Sequence, residues 1–248
     1  MTRVLLVGET WVTSETHFKG FDSFGSVTLQ SGAGPLLAAL EGSGVEIDHM
    51  GAHDAPEHFP MDKSGLEGYD VVVLSDIGAN SLLLHPDTWQ RGRRRPNRLR
   101  LLADWVRDGG GLAMAGGYLS FQGIEGKAGF RRTPVEDVLP CEIDPWDDRV
   151  EVPEGFEPEK VAEHPVVDGL DGAWPALLGY NRFTARDDAT VLARGAGDPQ
   201  LVVRDVGAGR TLAWASDIGP HWCPVEFLEW PGYARLWTQA LRWLGGGA

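Results

Sequence analysis

The chain of 248 residues has only two cysteines, Cys141 and Cys223, far apart in sequence. Two isolated thiols exclude a disulfide framework and supply no zinc-binding Cys cluster. His-x-x-x-His and His-Glu-x-x-His spacings are missing too, so neither a metal nor a cofactor is expected. Lysine and arginine are scarce, 22 against 36 aspartates and glutamates, for a formal net charge of -14. Phosphate contacts need basic side chains clustered and in excess, so a nucleic-acid surface is excluded. No apolar run approaches the roughly 20 residues of a membrane helix. Met1-Thr-Arg3 leads directly into Val4-Leu-Leu-Val-Gly8, without the longer apolar region of a signal peptide. These absences lead us to expect a cytoplasmic protein with reduced thiols, no membrane contact and a small-molecule partner.

What is present alternates between strand and helix. Val4 to Gly8, Val45 to Met50 and Tyr69 to Ser75 read as strands, the first apolar throughout and the last apolar from Val71 to Leu74, as in a sheet covered on both faces. Pro35 to Leu40 and Asn97 to Arg107 read as helices, the second ended by Gly109-Gly-Gly111. This order predicts a single α/β domain over residues 1–248, a mostly parallel sheet flanked by helices. Thr190 to Ala193, Gln200 to Arg204 and Arg210 to Ser216 add strands, with Val206-Gly-Ala-Gly209 as the turn of an antiparallel hairpin. The last helix carries Tyr233, Leu236, Trp237, Ala240, Leu241 and Leu244 on one face. The proline-rich, acidic stretch from Arg131 to Ala176 is expected to wrap the outside of the sheet. The six arginines of Arg91 to Arg100 fit a solvated loop or a contact between subunits, so a homo-oligomer is an option.

The strongest punctuation is Gly109 to Gly123, where a short apolar run enters a second glycine pair, Gly116-Gly117. That is the grammar of a nucleophile elbow with no nucleophile at the bend. In open α/β sheets, ligands bind beyond the carboxyl ends of the strands. Five such ends are polar or glycine-rich: Glu9-Thr-Trp11, Asp76-Ile-Gly-Ala-Asn80, Gly116-Gly-Tyr118, Gly179-Tyr-Asn181 and Asp217-Ile-Gly-Pro-His221. Ser-Asp-Ile-Gly occurs at two of them, at Ser75 and at Ser216. If their strands are neighbours, Asp76 and Asp217 share a cleft with Glu9 and His221, a set suited to acid/base chemistry, to holding hydroxyl groups or, as the minority reading, to binding a divalent cation. Either aspartate would equally well tie a loop by accepting backbone N–H groups. Trp11, Asn80, Gly116, Gly117, Tyr118, Asn181 and Trp222 are the candidate ligand contacts, and His17 lies in a loop that would cover the cleft. Cys223, beside Pro224, reads as a small buried hydrophobe.

The chain resembles the class I glutamine amidotransferase-like superfamily, and within it bacterial cytoplasmic proteins related to the ThuA-like trehalose-utilisation group. The segments carrying the likeness are Gly8-Glu-Thr-Trp11, His17 to Phe24, Ser75 to Asn80, Gly109 to Gly126, Thr133 to Pro140, Asp147 to Pro153, Leu178 to Asn181 and Ser216 to Trp222. The resemblance implies a flavodoxin-like fold with the ligand over the elbow. Working members place a cysteine at the elbow with a downstream His and Glu; here glycines stand there, and no His-x-Glu occurs in the terminal region. The expected function is binding of a small polar, carbohydrate-related metabolite at the strand ends, with or without acid/base catalysis. The alternatives are a non-catalytic binding protein and an amidotransferase with another nucleophile.

Overall fold

In the computed structural model, which describes residues 1–247, the first strands in chain order are β1 (Thr2–Gly8), β2 (Thr10–Lys19), β3 (Asp22–Ser31), β4 (Val45–Met50), β5 (Val71–Ser75), β6 (Gly111–Ala115) and β7 (Cys141–Ile143). The rest are β8 (Arg149–Phe156), β9 (Glu159–Lys160), β10 (Leu177–Asn181), β11 (Phe183–Ala185), β12 (Thr190–Gly195), β13 (Asp198–Val206) and β14 (Gly209–Trp214). Eight of them form one sheet in the order β4-β1-β5-β6-β14-β13-β12-β9. The first five run parallel, and β13, β12 and β9 continue the sheet antiparallel. The parallel part has the doubly wound order of a flavodoxin-like α/β fold, and the Val206 to Gly209 turn joins β13 and β14 in the expected hairpin.

Both faces of the sheet are covered, which is why β1 and β5 are apolar at every interior position. Val4 and Leu6 face the core under the helix Pro231–Leu244, and Leu5 and Val7 face the opposite core under the helix Arg98–Arg107. The second helix starts where Asn97 accepts the N–H of Arg100 (3.0 Å) and buries Leu99, Leu102, Ala103 and Val106. At this spacing the apolar side chains recur on one face of the helix.

Two segments differ from expectation and a third gains a partner. The stretch containing His17 is a hairpin with ten residues on each strand, β2 paired with β3, that joins no other sheet. Both of its faces meet solvent, so no burial pattern marks it in the sequence. Most of Arg131 to Ala176 lies off the main sheet as expected, but Glu159 and Lys160 pair with β12 as the edge strand. Residues 91–97 are exposed, the solvated loop that was one of the two expected readings, and Arg91 (2.6 Å), Arg93 (3.8 Å) and Arg95 also surround the buried Asp87.

Candidate functional site

Strands β1, β5, β6 and β14 are consecutive neighbours running the same way, so their carboxyl ends lie side by side. Glycine lets β1 and β5 close up there. A Cβ on Gly8 would sit 1.8 Å from the Ser75 carbonyl oxygen, and Gly8 has φ +118°. The next residue, Glu9, donates its N–H to that same carbonyl (3.1 Å). Glu9 (φ 52°), Asp76 (φ 44°) and His221 (φ 146°) all have positive φ, three of the seven non-glycine residues that do so among the described residues. Such conformations cost energy for L-residues, and holding three around one cleft marks it as a place where the fold tolerates strain.

The cleft encloses about 310 Å³ and is lined by Glu9, Trp11, Asp76, Tyr118, Asp217 and His221, together with the backbone around Gly32 and Gly219. Glu9 is buried at its floor, where the Ser75 hydroxyl donates to Oε1 (2.6 Å). Its Oε2 takes the space a side chain on Gly32 would need, 2.3 Å from that position. Burial raises the Glu9 carboxyl to about 8; the Ser75 hydrogen bond opposes the rise, and the charges of Asp76 and Asp217 add to it. Glu9 is therefore an uncharged acid at neutral pH. Burial also raises Asp76, opposed by the Leu119 N–H that donates to its Oδ1 (2.8 Å) and reinforced by Asp217.

Asp217 Oδ2 accepts both His221 Nδ1 (2.8 Å) and the Trp222 N–H (3.0 Å). Burial works to lower the His221 pKa, but the hydrogen bond and charge of Asp217, with Glu151 and Asp76, outweigh it and the net direction is upward. With Nδ1 held by the carboxylate, Nε2 is left as the titrating atom. Tyr118 stands edge-on to His221, with ring centres 4.4 Å apart, and Trp222 stacks on the imidazole at 5.0 Å. A Cβ on Gly117 would lie 3.0 Å from the Oδ1 atoms of both Asp76 and Asp217, so the two carboxylates converge on the elbow glycine. Each aspartate thus both ties a loop and lines the cleft.

The remaining candidates fall elsewhere. Asn181 is fully buried behind the elbow, accepting the Gly117 N–H (2.9 Å) and donating to Asp148 Oδ1 (2.8 Å). A Cβ on Gly116 would come within 2.1 Å of the Ala215 carbonyl, so this glycine serves close strand packing. Trp222 is buried, its Nε1 donating to Glu151 (2.8 Å), and supports His221 from behind. Asn80 is exposed on the helix Ala79–Leu83 and does not line the cleft. His17 stacks on Phe24 within the hairpin, seven residues along β2 from its start, or about 23 Å away. Ser75, Asp148 and Glu151 were not among the candidates as individual residues. Ser75 was visible as the first residue of the repeated Ser-Asp-Ile-Gly; the other two lie in the acidic middle segment, with nothing local to single them out.

A buried neutral acid, two further carboxylates, a histidine tied to one of them and two aromatic rings form the wall, and no lysine or arginine lines it. Arg149 lies over the ring of Tyr118 (4.9 Å) and is tied to Asp147 (2.7 Å). Among the described residues, no group of three or more His, Cys, Asp and Glu side chains has an arrangement that could hold a metal ion.

A family profile described as "Putative glutamine amidotransferase" matches residues 3–246. The chain belongs to this amidotransferase-like family. Among solved structures, a cytoplasmic protein from Salmonella typhimurium is 45% identical, covering 97% of this chain and 98% of its own, with a TM-score of 0.94. A second cytoplasmic protein, from Salmonella typhimurium LT2, is 41% identical over 98% of this chain and 99% of its own, with a TM-score of 0.93. A ThuA-like protein from Parabacteroides merdae shares the fold, with a TM-score of 0.58 at 15% identity over 100% of this chain and 91% of its own. No curated protein matches the sequence. In this amidotransferase-like chain, as in any α/β protein of the kind, fold membership does not carry an activity with it.

Proposed function

We propose that this amidotransferase-like protein binds a small, uncharged polar metabolite at the carboxyl ends of β1, β5, β6 and β14 and acts on it by acid/base chemistry, not by glutamine hydrolysis. One observation carries the reading: the cleft sets a neutral acid, Glu9, against the Asp217–His221 pair and lines the space with no fixed cation. Titrating groups driven to different protonation states in one site are the arrangement that proton transfer needs. Glu9 supplies a proton or hydrogen bond to the ligand, His221 takes or returns one at Nε2, and Asp217 orients the imidazole. Tyr118 and Trp11 offer aromatic faces, and the carboxylates accept hydrogen bonds from hydroxyl groups. A neutral carbohydrate fits this lining, whereas a carboxylate such as that of glutamine finds no lysine or arginine to anchor it.

Glutaminase chemistry lacks its nucleophile. The elbow position is Gly117, and Cys223 is fully buried in the core, where burial drives its thiol pKa upward and keeps it protonated. The same glycine elbow is the observation that favours the second reading, a non-catalytic binding protein on the old scaffold. The reading includes a cytoplasmic location, the one stated in the names of the two Salmonella proteins.

The test is a thermal-shift series of neutral sugars and polyols, sugar acids and glutamine on the wild type and Asp217→Asn. A neutral polyol that raises the melting point of the wild type supports the reading, because a ligand that binds only the folded state stabilises it. Turnover of that ligand, abolished in Asp217→Asn while binding persists, supports catalysis; binding without turnover in the wild type supports the second reading. A shift with glutamine or a sugar acid and none with neutral compounds would overturn the first reading.

A further inference from the structure

Asp217 fixes His221 at one atom, Nδ1, and a single hydrogen bond leaves the plane of the imidazole free to turn about it. The direction of Nε2 therefore depends on what packs against the ring. Trp222 stacks on it, with 29° between the planes, and Tyr118 meets it nearly edge-on at 82°. One side chain ties both rings: Glu151 Oε1 accepts the Tyr118 hydroxyl (3.2 Å) and Oε2 accepts the Trp222 indole N–H (2.8 Å). Glu151 itself is not part of the cleft lining.

Strand register brings it there. β8 and β10 pair with Glu151 opposite Gly179, and cross-strand partners share a face. A Cβ on Gly179 would collide with the Trp222 indole around Nε1, so the missing side chain is the seat of that ring, directly beside Glu151. The Leu178 N–H donates to the Trp222 carbonyl (2.8 Å) and pins the residue to the same strand. A buried indole N–H needs an acceptor, and Glu151 is the one it has. Arg149, over the Tyr118 ring (4.9 Å) and 3.9 Å from Glu151 Oε1, belongs to the same brace. The Glu151 side chain is 48% exposed, so water screens its charge and its hold on the site runs through the two rings.

We propose that Glu151 is a positioning residue: by bridging Tyr118 and Trp222 it locks the plane of the His221 imidazole and aims Nε2 into the cleft. Misplacing a reacting group by about 1 Å can slow a reaction roughly a hundredfold, which gives a proton-transfer site reason to be braced from outside. The role rests on the acid/base reading above, whereas the bridge itself is testable without a ligand. Three carboxylates act on His221, those of Asp217, Glu151 and Asp76, and all favour its protonated form. Position and charge therefore have to be separated.

NMR of the full chain with labelled histidine, followed across pH, does so. In the wild type the ring currents of Trp222 and Tyr118 displace the His221 ring protons. Glu151→Leu removes both hydrogen bonds and should return those resonances toward the values of free histidine. Glu151→Gln should keep them displaced, because its amide oxygen still accepts the indole N–H and its amide N–H donates to the tyrosine oxygen. Both variants lose the carboxylate charge, so the His221 titration midpoint should fall in both. Tyr118→Phe, milder on folding, removes one of the two bonds and should move the resonances part of the way. Resonances unmoved in Glu151→Leu, or in Tyr118→Phe should the leucine variant fail to fold, overturn the proposal, as does equal displacement in Glu151→Gln and Glu151→Leu. The expected pattern alongside no turnover of any neutral sugar or polyol would overturn the acid/base reading and still support the bridge.

Discussion

Glu9 and Asp87 are two buried carboxylates of one chain, and they sit at opposite ends of the ionisation scale. Asp87 lies among arginines: its hydrogen bonds to Arg95 and Arg91 bring it down to about 2. Glu9 has a serine hydroxyl for company and two further carboxylates nearby, and burial brings it up to about 8. The first arrangement ties a loop to the body of the protein. The second keeps a proton at the floor of a cleft, at some expense to stability at high pH. Buried carboxylates therefore sort by partner: cations make one a fixed charge, and their absence makes the other a usable acid.

The sharpest way to break the comparison is through a third buried carboxylate, Asp148, which has neither arginine partners nor an open cleft. It is raised to about 6, mainly by burial, and accepts the N–H groups of Gln122 (2.8 Å) and Gly123 (2.9 Å) and the amide of Asn181. Asp148→Ala would leave three donors without an acceptor and release the elbow, for an expected loss of roughly 3–5 kcal/mol in urea unfolding. A loss under about 1 kcal/mol would mean that the elbow is held by the strands alone.

Glu9→Gln comes next. The native carboxyl holds its proton from about 4.5, its ordinary value, up to about 8. Folding takes up a proton across that window, so Glu9 makes the wild type less stable as pH rises, by up to about 1.4 kcal/mol per pH unit. Glutamine keeps the shape and the acceptor for Ser75 and removes the titration. The variant should melt several degrees above the wild type at pH 9, with the gap closing toward pH 5, and should lose any turnover. Parallel melting curves across pH would show that Glu9 is ionised in the folded protein.

A smaller effect is expected at His221. Its raised pKa means that the protonated ring stabilises the fold below the ordinary value of 6.5, an effect lost as pH rises through the folded value. Asp217→Asn removes the main partner, so the His221 pKa read by NMR should fall below that of the wild type. An unchanged titration would show that the pair is not formed in solution. Asp87→Asn should have the smallest effect, a melting point lower by about 2–4 °C at neutral pH, since the three arginines around it are largely in solvent. Its contribution has the opposite pH sense to that of Glu9. It is present above the ordinary 3.8 and lost as pH falls through about 2.

Much of this was legible because burial on both sides of a sheet writes itself into sequence. Val4 to Val7 and Val71 to Leu74 can be read as strands because a run between two covered faces is apolar on both sides. Asp76, Asp217, Glu9 and His221 were readable as strand-end residues, though their convergence depended on β1, β5, β6 and β14 being neighbours. Asn80 and His17 were misplaced by the same reasoning, since closeness to a strand end in sequence says nothing about where the next turn points. The β2–β3 hairpin left no burial pattern, and Asp148 and Glu151 reach the elbow across 25 to 71 residues of chain.

The sequence by itself determined the alternation of elements and the glycine pair at the bend, because each depends on local composition or spacing. Only the tertiary structure decided which carboxylate is neutral, which is paired and which converge. Those properties depend on desolvation and on distances of a few ångströms between segments far apart in the chain, set when the strands pack side by side.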